Sequence, residues 1–244
     1  MKGLWRWLGL LVCALLALQL FFVGRIALMA VVNPSSTTFE RSEAWALAQR
    51  DGRVRWRQEW VPYARISDHL KRAVIASEDD RFSVHDGVDW TAIEKAWERN
   101  AKAEAQASRA QARAPERPAR APKIRGGSTI TQQLAKNLLL SGERTLLRKG
   151  QELVLTFALE QLLSKERILE IYLNHVEWGE GVFGAEAAAQ HYFRKSADRL
   201  TPAEAARLAV MLPAPKRFEK MPNSAYLAGR TRTILARMGS AELP

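Results

Sequence analysis

The chain has 244 residues, with 37 Lys and Arg against 26 Asp and Glu and a formal net charge of +11. At 47% hydrophobic and 26% charged it is too apolar for a disordered chain, and its length gives room for one good core rather than two large catalytic domains. The single cysteine, Cys13, excludes an internal disulfide and a cysteine-based zinc site, and the positive excess leaves nucleic acid, a membrane surface and an anionic substrate all open.

Residues 1–32 read as a short cytoplasmic N-terminus and a transmembrane anchor. Leu8 to Val23 carries no charge and is interrupted only by Gly9 and Gln19. A spanning helix needs about 20 mostly apolar residues, so one starting near Leu4 and ending between Val23 and Leu28 is long enough. Lys2 and Arg6 precede it, which orients the N-terminus to the cytoplasm and the bulk of the chain outside. Trp5, Trp7, Phe21 and Phe22 fall at its two ends, as an aromatic belt does. A cleaved signal peptide would need a shorter apolar region and a small-x-small site, and Phe21-Phe22-Val23-Gly24-Arg25 offers none cleanly. Cys13, behind the large Val12 and inside the run, reads as an apolar side chain rather than a lipoprotein cysteine.

Residues 33–59 read as linker and domain entry: the polar stretch Asn33 to Thr38 leaves the membrane, and from Phe39 onward the pattern is mainly helical. Further on, apolar spacings of three and four predict helices at Leu70–Ala76, Trp90–Trp97, Thr129–Leu140, Gln151–Val176 and Pro202–Leu212. Thr201-Pro202-Ala203-Glu204 is a strong helix start, with Thr as cap, Pro at the first position and Glu at the third. Val54–Trp60 is the strand candidate, and the fold class is mainly α. The insert 101–124 is rich in Ala, Arg and Pro; from Lys102 to Arg125 seven basic residues face two acidic ones, a local +5. It reads as a mobile basic loop whose first half, rich in helix formers, can extend the preceding helix.

Three clusters carry chemistry. In Ser77-Glu78-Asp79-Asp80-Arg81-Phe82-Ser83-Val84-His85-Asp86-Gly87, a continuous helix would put Phe82 and His85 on the face of Glu78, with Asp79 about a quarter turn away. A carboxylate beside an aromatic ring is a candidate general base; a solvated acidic helix end is an equal reading of the cluster alone. Gly126-Gly127-Ser128-Thr129-Ile130-Thr131-Gln132-Gln133, with Lys136 further on, combines a tight turn, a helix cap and a run of hydroxyls and amides suited to a sugar or phosphate. It lacks the spacing of a Walker loop. Arg144, Arg148 and Glu152 recur every four residues beside Lys149, which can hold a diphosphate or, as the cluster alone favours, form a surface ion pair. Ile168, Leu169, Tyr172 and Leu173 read as core, Glu160 and Glu170 as internal acceptors, and His69, His175 and His191 show no ligand spacing.

In this order the clusters resemble the motifs of the family-51 glycosyltransferases: Glu-Asp-x-x-Phe-x-x-His-x-Gly at 78–87, Gly-Gly-Ser-Thr-Ile-Thr-Gln-Gln at 126–133, Arg-Lys-x-x-Glu at 148–152, Ile-Leu-Glu-x-Tyr-Leu-Asn at 168–174, and a looser match at 207–213. The resemblance implies a lysozyme-like, mainly helical glycosyltransferase domain over 60–218, followed by a C-terminal helical tail at 219–244. It implies polymerisation of lipid II into β-1,4-linked glycan strands, by inversion, with release of undecaprenyl diphosphate. Glu78 is then the general base and Glu152 the second catalytic carboxylate. Lys136, Arg144, Arg148 and Lys149 neutralise the diphosphate, and Asp79, Phe82, Ser128, Gln132 and Gln133 match positions lining the substrate groove.

The implied partners are lipid II, the growing strand, the bilayer and other cell-wall synthesis and division proteins, with no nucleic acid. The implied location is the bacterial inner membrane with the catalytic domain on the periplasmic side. No organic cofactor is implied; Asp79, Asp80 and the diphosphate can share a divalent cation, Mg2+ or Mn2+. The basic insert is a departure from the pattern. The absence of Ser-x-x-Lys and Lys-Thr-Gly predicts glycosyl transfer without transpeptidation. A lysozyme-like hydrolase that cuts glycan and a membrane-tethered scaffold remain as alternatives.

Overall fold

The computed structural model describes residues 2–113, 116, 126–140, 142–143 and 145–244. The second half of the basic insert, apart from Glu116, and Arg144 therefore lie outside the described residues. The architecture is mainly α, as expected, with one small three-stranded sheet.

Helix α1 (Lys2–Leu28) begins slightly before the expected anchor. Its stretch Gly3–Leu28 has a mean hydropathy of 2.3 and is long and apolar enough to cross a membrane. Its C-terminal end does not leave the rest of the molecule: Ile26 and Met29 are buried in the main core and Phe22 packs against it. Arg167 clasps the chain as it leaves α1, donating from Nε to the Met29 carbonyl at 2.8 Å and from Nη2 to Asn33 Oδ1 at 2.8 Å.

The helical pattern read from Phe39 onward begins with α2 (Thr38–Asp51), which takes up much of the domain entry. Thr37 and Glu40 form a capping box, with the Glu40 N–H bonded to Thr37 Oγ1 at 3.0 Å and the Thr37 N–H to Glu40 Oε2 at 2.6 Å. Glu40 is wholly buried and its other oxygen lies 2.8 Å from His175 Nδ1. The cap has a sequence signal, Thr37-x-x-Glu40, inside the polar stretch that precedes the helix. Within the strand candidate 54–60, only β1 (Arg57–Gln58) forms. It pairs parallel with β3 (Val182–Phe183), which pairs antiparallel with β2 (Glu177–Gly179), giving the order β1-β3-β2.

The core is built by α3 (Asp68–Glu78), α5 (Ile130–Leu139), α6 (Leu146–Leu162), α7 (Lys165–His175), α8 (Ala185–Phe193) and α9 (Pro202–Met211). The long pattern Gln151–Val176 breaks into α6 and α7 because Leu163 is extended and Ser164 caps the second helix, its side chain accepting from the Arg167 N–H at 3.1 Å. Trp178 fills the centre, wholly buried, and its Nε1 donates to the Leu208 carbonyl at 3.0 Å. α4 (Trp90–Arg113) runs well into the insert, and along it only Ala96 is buried. After α10 (Pro215–Lys220), α11 (Ala225–Arg237) packs on α9 and α3, so the segment read as a tail is part of the body.

Candidate active site

Three helix ends meet around Glu78, the last residue of α3. Because the helix stops there, Phe82 and His85 leave the face of Glu78 and enter a folded loop instead. Phe82 is fully buried in the core with the Lys165 ammonium 4.6 Å from its ring centre, so it cannot line a groove. This corrects its assignment; the aromatic ring is a foundation under the loop.

Asp79 also turns inward. His85 Nε2 lies 2.9 Å from its Oδ1, and the Ile130 N–H at the first turn of α5 donates to Oδ2 at 2.9 Å. His85 Nδ1 accepts from the Gly87 N–H at 3.1 Å, which assigns the ring proton to Nε2. Thr129 Oγ1 donates to the Gly87 carbonyl at 2.6 Å. The loop after Glu78 is thus stitched to the N-terminus of α5, which fixes the first motif against the second.

The consequence is a built orientation for Glu78. Gln133 Nε2 donates to Glu78 Oε2 at 3.1 Å, and the buried Tyr172 hydroxyl donates to Gln133 Oε1 at 3.0 Å. Ser77 Oγ lies 3.3 Å from Oε1. Burial raises the Glu78 pKa, opposed by the bonds from Gln133 and Ser77, with the nearby Asp79 charge adding to the rise. Burial, with the charges of Glu78 and Asp79, holds the Tyr172 phenol well above its ordinary value, so it stays protonated and can only hold Gln133 one way round. Tyr172, read as core from its apolar neighbours, is the functional residue that helical spacing hid.

The second carboxylate, Glu152, is 3% exposed and accepts from Arg148 Nη1 at 2.9 Å; Lys149 Nζ pairs with its other oxygen. Arg148 Nε is buried and finds no acceptor among the described residues. These side chains and Lys136 border a cleft of about 560 Å3, which Gln132 and Gln133 also line. A second cavity of about 440 Å3 is lined by Glu78, Lys95, Arg99 and Arg230. Ser128 is exposed and lines both cavities. Gln132 is less free than its sequence position implies, because its amide oxygen accepts the Thr129 N–H at 3.1 Å in the cap of α5.

Asp79 and Asp80 do not fit a shared divalent cation. Both Asp79 oxygens are engaged by His85 and Ile130, and Asp80 pairs with Arg237 at 3.0 Å. Among the described residues no group of three or more His, Cys, Asp or Glu side chains is placed to hold a metal.

Residues 46–239 match the family described as Transglycosylase. The chain is 50% identical over 245 residues to a biosynthetic peptidoglycan transglycosylase of Herminiimonas arsenicoxydans, covering 100% of this chain and 99% of the relative. It is 53% identical over 243 residues to one of Paraburkholderia xenovorans, covering 98% and 94%, and 50% identical over 232 residues to one of Bordetella pertussis, covering 95% and 90%. A helical body with paired carboxylates, a cationic cleft and this extent of likeness lead to one statement: the chain belongs to the transglycosylase family.

Proposed function

We propose that this glycosyltransferase builds peptidoglycan strands by polymerising lipid II, with Glu78 as general base and inversion at the donor. The acceptor 4-hydroxyl oxygen bonds to the donor anomeric carbon as the bond from that carbon to the diphosphate oxygen breaks. The hydroxyl proton passes to the Glu78 carboxylate, and the electron pair of the broken bond leaves on the diphosphate. An α-linked diphosphate thereby becomes a β-1,4 glycoside. A diphosphate is a good leaving group and needs charge stabilisation more than a proton. Lys136, Arg148 and Lys149 supply that charge, and Glu152 holds the last two in place; Arg144 is assigned with them by its sequence position.

The observation that carries this reading is the Tyr172–Gln133–Glu78 chain, which orients a carboxylate of raised pKa that lines the second cavity, while Gln133 borders the first. The buried, unpaired Arg148 Nε beside the first cavity supports an anionic occupant there. A hydrolase would need a carboxylic acid to protonate a sugar leaving group, and gains nothing from cations at that position. Helix α1 is the membrane anchor in this reading, with its N-terminus cytoplasmic and the body periplasmic.

The test is incubation of purified full-length protein with lipid II. Glu78→Gln is expected to stay folded and to lose about 100- to 10,000-fold of its polymerisation rate. Wild-type-like chain growth by that variant, or release of short muropeptides from preformed strands without growth, defeats the proposal.

A further inference from the structure

Gln19 is the one amide in the uncharged run of α1, and the structure gives it a partner. Its Nε2 donates to Gln151 Oε1 at 2.9 Å, and Gln151 Nε2 donates back to Gln19 Oε1 at 3.0 Å. The reciprocal pair joins the membrane-compatible helix to α6, the helix that carries Arg148, Lys149 and Glu152. Gln19, Phe22, Ile26 and Met29 follow one another at spacings of three and four, so one stripe of α1 and its exit lies against the body. The apolar members of that stripe can slide; a two-bond amide pair cannot slip by one residue without leaving two amides unpaired where water is scarce.

We infer that Gln19 and Gln151 are positioning residues that pin the height and rotation of α6 relative to the bilayer, so that its cations meet a diphosphate held by a membrane-embedded lipid. The inference rests on the reading of Arg148 and Lys149 as the diphosphate site. Gln151 immediately precedes Glu152 and lies three residues after Arg148, so a shift at the pin turns both groups. The pair therefore acts on where the site stands, and leaves the site's own bonds intact.

That distinction sets the experiment. Full-length protein in lipid nanodiscs is titrated with undecaprenyl diphosphate and, separately, with soluble inorganic diphosphate. Gln19→Leu is expected to weaken the membrane-held probe roughly three- to tenfold and to leave the soluble one unchanged. In turnover with lipid II it raises KM by a similar factor at near-constant kcat. Equal affinity of wild type and Gln19→Leu for undecaprenyl diphosphate, or parallel weakening for both probes, overturns the inference. A wild-type protein that binds neither probe overturns instead the functional reading on which it rests.

Discussion

Glu78 has the environment a base at neutral pH requires. Its carboxyl is half-buried, which disfavours the charged form, yet two neighbours donate hydrogen bonds that keep that form accessible. As the proposed base, Glu78 must be ionised, so the polymerisation rate is expected to fall as pH is lowered through a pKa above the ordinary carboxylate range. A pH–rate profile with its acidic limb at or below that ordinary range contradicts the assignment. The stability sign is opposite. A folded pKa above the unfolded one gives a contribution present at acid pH and lost as pH rises through the folded value. Glu78→Gln is therefore expected to unfold at neutral pH no earlier than the parent, as thermal denaturation will show. Tyr172→Phe removes the hydroxyl that orients Gln133, leaving an amide free to turn its oxygen toward Glu78. Its kcat is expected to fall about tenfold with a stability loss of about 1 kcal/mol; an unchanged kcat detaches Tyr172 from the site.

At the scale of elements, the loop between α3 and α4 decides how the two carboxylate-bearing halves meet. Gly87 sits at φ +86, and a Cβ there would stand 2.8 Å from Glu160 Cγ and 2.8 Å from Thr156 Cγ2, both on α6. The same residue's carbonyl receives the Thr129 hydroxyl that precedes α5. Gly87→Ala is expected to cost about 2 kcal/mol and to lower the unfolding midpoint by several degrees. A variant that melts with the wild type shows the contact relaxes freely. Glu160 is held in turn by Lys165 at 2.9 Å and bonded by Thr131 Oγ1 at 2.5 Å, so the internal-acceptor role read from its apolar setting is met, as it is for Glu170, which accepts from the Tyr63 N–H at 3.1 Å.

For the molecule as a whole, α1 is both a membrane-crossing candidate and part of the core. Ile26 is fully buried and Met29 is 5% exposed. Burying such a side chain contributes about 1.5–3 kcal/mol, so a chain starting at residue 33 is expected to lose on the order of 3 kcal/mol. Thermal unfolding of the two forms in one detergent measures this, and coincident midpoints would show that the seam contributes nothing.

What the sequence determined by itself is local. Capping residues within one turn of one another set helix starts at Thr129 and Thr201, apolar spacing set the helical class, and an uncharged run set the anchor candidate. The motif strings likewise named Glu78, Glu152 and the cations around them. Tertiary structure decided what no short window contains. Tyr172 reaches Gln133 across 39 residues, Gln133 reaches Glu78 across 55, and Gln19 reaches Gln151 across 132. Phe82 and Asp79 show the same limit from the other side. Their strings mark them with the site, but α3 ends at Glu78, and a chain that leaves its helix no longer follows helical spacing. The overall +11 gave no direction to its charge; helical spacing already pairs Arg148 and Lys149 with Glu152, and what packing decided is that this carboxylate is buried and its cations border a cleft, where a second negative charge is welcome.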